Sequence, residues 1–182
     1  MADDDKTIID YFLENVEKHG DRRFLTQPMG DENLKHWTFK EVWEESKRMA
    51  GYIESLNLPP KSQIAIMSKN CAWWVLADLA IIMAGHVSVP VYPTLTAATT
   101  KHILEHSESK LLFVGKLDDH PWQAMKPGIP EGLPTISFPL SPDNCAEKTW
   151  VDVIKHEPIK EMVKRAPDEM ATIIYTSGST GM

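Results

Sequence analysis

Cysteine and positive charge are both scarce in this chain. Two cysteines, Cys71 and Cys145, allow one bridge at most. That excludes the disulfide framework of a small secreted domain and reads as two reduced thiols of a cytoplasmic protein. Lysine and arginine total 19 against 26 acidic residues, a net charge of -7. Phosphate backbones are bound by basic surface, so the balance argues against a nucleic-acid partner. A small anionic ligand needs only a few local donors and stays open. Long apolar runs are missing too. The most apolar stretch, "WWVLADLAIIMAG", is too short to cross a bilayer and carries Asp78, so it reads as a buried helix; peripheral membrane contact stays open. "MADDDK" opens acidic where a signal peptide would open basic. No repeat or low-complexity tract appears.

What remains is the composition of a globular α/β chain, 42% apolar and 25% charged over 182 residues. Ile8, Ile9, Phe12 and Val16 share one helical face, predicting a helix over about 8–18 with Gly20 as its C-cap glycine. "TFKE" is a capping box: the Thr38 hydroxyl can serve one orphan N–H and Glu41 another. Behind it Phe39, Val42, Trp43, Ser46, Met49, Ala50, Ile53 and Leu56 keep helical spacing until "NLPP" stops the helix. The period then changes. "QIAIMS" and "HVSVPVY" alternate as strands around the apolar helix; a helix near 99–108 and the strand "KLLFVG" follow. This β-α-β-α-β alternation predicts a largely parallel sheet flanked by helices. Between about 117 and 148 six prolines leave room for only a short strand near "TISF". A short helix near 150–156 and an apolar strand "MATIIY" complete the series. No domain boundary is evident within 1–182.

That last strand runs into "TSGSTG". Gly178 and Gly181 let the main chain approach a ligand closely. Successive N–H groups can then converge on an anion, with the hydroxyls of Thr176, Ser177, Ser179 and Thr180 beside them. It is not a Walker loop, which requires Gly-Lys-Ser/Thr after glycine and four residues. A plain Ser/Gly/Thr turn would share the composition.

"YTSGSTG" resembles the phosphate-binding motif of the adenylate-forming superfamily, the AMP-forming acyl-CoA synthetases and their relatives. The match runs from Tyr175 to Gly181 and stops before the family's Pro-Lys-Gly. "HWTFKEVWEESKRMAGYI", "SQIAIMSKNCAWWVLADLAIIMAGHVSVPVYPT" and "HSESKLLFVG" resemble the family's earlier blocks in the same order, and "VPVYPTLT" is similar to the long-chain fatty acyl-CoA synthetases. The resemblance implies the N-terminal part of the large domain of such an enzyme. It further implies a ligase that uses ATP, Mg²⁺ and coenzyme A on a fatty acid, in fatty-acid metabolism. The site residues carried over are Thr176, Ser177, Gly178, Ser179, Thr180 and Gly181, which would hold the β- and γ-phosphates. The family's other site residues, including its catalytic lysine and its acidic Mg²⁺ ligand, lie downstream, so this stretch is expected to carry no catalytic residue and no metal ligand, to be inactive by itself, and to be a truncated domain. Three or four charge-assisted hydrogen bonds, about 1.5–3 kcal/mol each, roughly cancel the cost of ordering six residues at about 1–2 kcal/mol apiece; ATP binding is then millimolar or weaker. Cut midway, such a sheet would also leave apolar surface uncovered and favour self-association. The alternative is a stand-alone α/β nucleotide-binding module without ligase chemistry.

Other residues read more plainly. His102 and His106 fall four apart on one helix face and suggest a solvated polar surface rather than a metal site. His86 suggests packing or a turn, and Trp73 and Trp74 core. Asp118 and Asp119 suggest a solvated pair without partners, and Cys71 a buried, inert thiol.

Overall fold

The chain was analysed as a computed structural model that describes residues 6–176. A helix α1 (Ile8–His19) leads into a hairpin, β1 (Arg23–Gly30) and β2 (Asn33–Thr38), and then into the long helix α2 (Phe39–Ser55). Next come β3 (Gln63–Met67), α3 (Ala72–Met83), β4 (Val87–Val91), α4 (Ala97–His106) and β5 (Leu111–Val114). The series ends with α5 (Asp119–Met125), β6 (Thr135–Ser137), β7 (Lys148–Thr149) and α6 (Trp150–Val153). β3 to β7 form one five-stranded sheet in the order β4-β3-β5-β6-β7, every pair parallel.

Period-two alternation splits the strands between two cores. Ile64, Ile66, Leu111 and Phe113 face a cluster built with α1, α2, α3 and α6. Ala65, Met67, Leu112 and Val114 face the other way, onto α4 and α5. Helix α3 is buried nearly all round, from Ala72 and Trp73 to Met83. The Thr38/Glu41 capping box is formed, and the predicted face of α2 is the buried one, with Val42, Trp43, Ser46, Met49, Ala50 and Ile53 inside.

Several expectations need correction. Gly20 follows α1, but at φ -47° and ψ -42° it extends the last turn instead of reversing it. A side chain there would stand 2.7 Å from the Val16 carbonyl oxygen, so the position favours glycine for space and not for a left-handed cap. The 117–148 stretch holds a helix, α5, because Pro121 lies in its first turn, where a missing N–H costs nothing. The β1–β2 hairpin is not among the elements the sequence predicts. Only Gln27 and Trp37 of its two strands are buried, so no alternating apolar pattern announces it. The one signal is the turn, where Asp31 and Glu32 sit at φ +47° and +62°, as a two-residue hairpin turn of the primed type requires.

That hairpin does structural work in the first core. Helix α3 has no side-chain cap from its own N-cap residue, Cys71. Instead the buried Gln27 accepts from the Ala72 N–H at 2.9 Å and donates to the Pro28 carbonyl at 2.8 Å. Gln27→Leu is expected to lower stability by about 1–2 kcal/mol, the worth of a helix cap, read as a shift of the urea midpoint.

Candidate functional site

The segment 171–176 leads into the Thr-Ser-Gly-Ser-Thr-Gly stretch, and its first half, 171–173, lies along the outer edge of β4. Ser88 donates its N–H to the Ala171 carbonyl at 3.0 Å and accepts from the Ile173 N–H at 2.9 Å. The predicted strand "MATIIY" is thereby reduced to a single parallel bridge, Ser88 to Thr172. The reason is Pro90. The next donor on this side of β4 would be residue 90, and proline has no N–H to give. Side chains extend the contact: the Ser88 and Thr172 hydroxyls are hydrogen-bonded, while Ile173 and Tyr175 pack on the second core.

Tyr175 closes the seat. Its hydroxyl and His106 Nδ1 are 2.7 Å apart, and the two rings meet edge to face at 5.7 Å. Burial raises the phenol above its ordinary value. The sequence placed His102 and His106 on a solvated face. Both are exposed, with rings 5.4 Å apart, yet the contact from His106 to the loop entrance was missed. No signal along the sequence could have found it, because 69 residues separate the pair. Thr176 is the last described residue and is exposed. Ser177, Gly178, Ser179, Thr180 and Gly181, on which the phosphate-binding expectation rests, lie outside the described residues. Since 171–173 runs parallel to β4, the chain arrives at the carboxyl ends of the strands, where open α/β sheets bind their ligands.

Behind Ser88 stands Asp78 of α3. Burial lifts its carboxyl above the ordinary 3.8, with the Ser88 hydroxyl pulling only partly the other way, and Oδ1 has no hydrogen-bond partner. The folded chain therefore holds this proton more tightly than the unfolded one, and the stability Asp78 contributes at acid pH is lost as pH rises above 3.8. Asp78→Asn is expected to match the parent in acid and to become the more stable of the two toward neutral pH. Urea titrations along a pH series would show the gap open. In the turn between α3 and β4, His86 is buried, and burial, followed by the nearby Arg165, lowers its imidazole below 6.5. Arg165 donates to the His86 carbonyl at 2.7 Å and also to that of Met170, which braces the approach to the edge segment.

The remaining candidates separate cleanly. Trp73 is core and Trp74 half-buried. Asp118 is not unpartnered as expected, because it pairs with Lys69 across the ends of β3 and β5. Cys71 is half-buried, and burial raises the Cys145 thiol; both cysteines are free. Among the described residues no three His, Cys, Asp or Glu side chains stand together to hold a metal, and no helix is long and apolar enough to cross a membrane.

A parallel sheet covered on both faces, with an edge segment running toward the carboxyl ends of its strands, defines an open α/β domain. The AMP-binding enzyme family matches residues 12–182, and the chain belongs to that family. Among curated relatives it is 27% identical over 197 residues to a long-chain-fatty-acid–CoA ligase of Drosophila melanogaster, covering 97% of this chain and 28% of that protein. It is 28% identical to long chain acyl-CoA synthetase 1 of Arabidopsis thaliana, covering 96% of this chain and 29% of that one. The chain thus spans under three tenths of the length of these relatives. Its fold is shared with an anthranilate CoA ligase solved with anthranoyl-AMP, at TM-score 0.81 and 17% identity over 97% of this chain and 33% of that one. A long-chain-fatty-acid-CoA ligase from Archaeoglobus fulgidus superposes with TM-score 0.77 at 21% identity, over 96% and 35% of the two chains.

Proposed function

We propose that this chain supplies the N-terminal, phosphate-gripping part of an ATP-dependent, AMP-forming long-chain fatty acyl-CoA ligase acting in the cytoplasm. The observation that carries this reading is the family match running through the loop itself, on a sheet whose edge seats the loop entrance through Ser88 and His106. In the reaction a carboxylate oxygen would bond to the α-phosphorus of ATP as the bond to pyrophosphate breaks. Coenzyme A thiolate would then attack the acyl carbon, and AMP would leave with the electron pair. Two anions must meet in the first step, so catalysis is mostly positioning and charge stabilisation.

Within that scheme Thr176 and Thr180 would offer hydroxyls to the β- and γ-phosphates, with Ser177 and Ser179 as supporting donors. Gly178 and Gly181 would bring main-chain N–H groups close. Mg²⁺ would come in on the nucleotide and neutralise phosphate charge there. The acyl chain of the substrate is compatible with peripheral contact with a membrane.

This stretch alone is proposed to hold nucleotide weakly and to turn nothing over. Titration calorimetry with MgATP should give a millimolar or weaker dissociation constant. A pyrophosphate assay with a panel of fatty acids and coenzyme A should stay at background. Pyrophosphate release would overturn the inactivity. Micromolar binding by a monomeric chain without turnover would instead favour a stand-alone nucleotide-binding module.

A further inference from the structure

We propose that His106 and Ser88 are positioning residues that pin the entrance of the phosphate loop to the sheet from two sides, His106 through Tyr175 and Ser88 through Thr172. The inference rests on the phosphate-loop reading above and goes beyond it by naming what holds that loop's stem.

The need for such pins follows from Pro90. A parallel edge strand is ordinarily held by a regular ladder of main-chain bonds. Here the ladder offers Ser88 N–H to Ala171 and Ile173 N–H to Ser88, and its next donor position is Pro90, which has no N–H to give. Ile174, the next residue, is 60% exposed. The stem would leave the sheet two residues before Thr176 if main-chain bonds were its only hold. Side chains take over where the ladder stops. The Ser88 hydroxyl, wholly buried in β4, holds Thr172. His106, the last residue of α4, holds the Tyr175 hydroxyl at 2.7 Å.

Both pins stand on fixed ground. Helix α4 starts at a formed cap, Thr96 Oγ1 accepting from the Thr99 N–H at 3.2 Å, and is packed inward by Thr100, Ile103 and Leu104. His106 therefore has a set position even though its ring is exposed. Thr172 and Tyr175 leave the segment toward different supports, β4 and α4, so the two bonds restrain twist as well as translation. With the stem fixed, the residues after Tyr175 start from one place rather than from a range of them. Less ordering is then left for a ligand to impose.

Amide hydrogen exchange of the whole chain, followed in peptides covering residues 171–176, reads the stem directly and needs no nucleotide. His106→Ala and Tyr175→Phe are each expected to speed exchange there about tenfold, the net worth of one hydrogen bond. The double variant should be no faster than either single. His106→Asn should restore slow exchange, because its amide oxygen can take the place of Nδ1; a loss of general packing would not be rescued this way. Thr172→Val should act at the second pin, and its effect should multiply with that of Tyr175→Phe. Exchange unchanged in Tyr175→Phe, which removes a single oxygen and disturbs the fold least, would overturn the proposal. So would multiplication of the His106→Ala and Tyr175→Phe effects, or failure of His106→Asn to rescue. The same variants titrated with MgATP should bind more weakly by a similar factor. Faster exchange with unchanged ATP affinity would overturn the positioning role. ATP binding by the parent chain that is unchanged when Thr180→Val and Gly181→Val are introduced together would sink the phosphate-loop reading, while the exchange pattern would still decide whether the pins exist.

Discussion

Glu45→Ala is expected to cost about 3 kcal/mol of stability, the largest effect foreseen for any single substitution considered. Glu45 lies on α2 and accepts two indole N–H groups, Trp37 Nε1 at 2.9 Å on one oxygen and Trp150 Nε1 at 2.7 Å on the other. Both rings are almost wholly buried, 2% and 1% exposed. An indole N–H can only donate, and a buried donor left without an acceptor costs about 1–3 kcal/mol. Two are orphaned at once. Alanine's better helix propensity returns only a few tenths of a kcal/mol, so the loss wins. Glu45→Gln keeps one acceptor oxygen and should cost about half as much. Urea unfolding would measure both. A loss below about 1 kcal/mol for the alanine variant would mean that water replaces the carboxylate at both rings.

Gly51→Ala is expected to destabilise by about 2 kcal/mol, as overpacking does, although intrinsic propensity alone would favour alanine by about 1 kcal/mol in the middle of a helix. Geometry decides the sign. An added Cβ would lie 2.9 Å from the Ile159 nitrogen and 3.0 Å from the Pro158 carbonyl carbon, and closer still to the Glu157 carbonyl oxygen. All three neighbours are main chain, so no rotamer change relieves them. The 157–159 strap is also tied to α2, with Ile159 donating its N–H to the Lys47 carbonyl at 2.9 Å and Arg48 reaching the His156 carbonyl at 3.3 Å. Moving the strap away would break those bonds. A higher urea midpoint for the alanine variant would show that it yields freely.

Both effects arise where segments distant in the chain meet, and that is also where reading the sequence stopped. The capping box at Thr38, the apolar face of α2 and the alternation of β3 and β4 are local patterns, written in residues three, four or two apart. They were legible because a helix or strand repeats at a fixed period. The hairpin was not, because it buries little and alternates nothing. Nor was α5, because prolines signal a break, whereas Pro121 sits in a first turn, where proline is tolerated.

The sequence by itself determined most of the helices and strands, the α/β class and the family. Tertiary structure alone decided that Gln27 caps α3, that Glu45 joins two tryptophans, and that Pro90 leaves the loop stem to the side chains of Ser88 and His106. Hydrogen-bond donors and acceptors do not record in the chain which distant group will satisfy them. Only folding brings them within reach, and burial then makes each of those pairings expensive to lose.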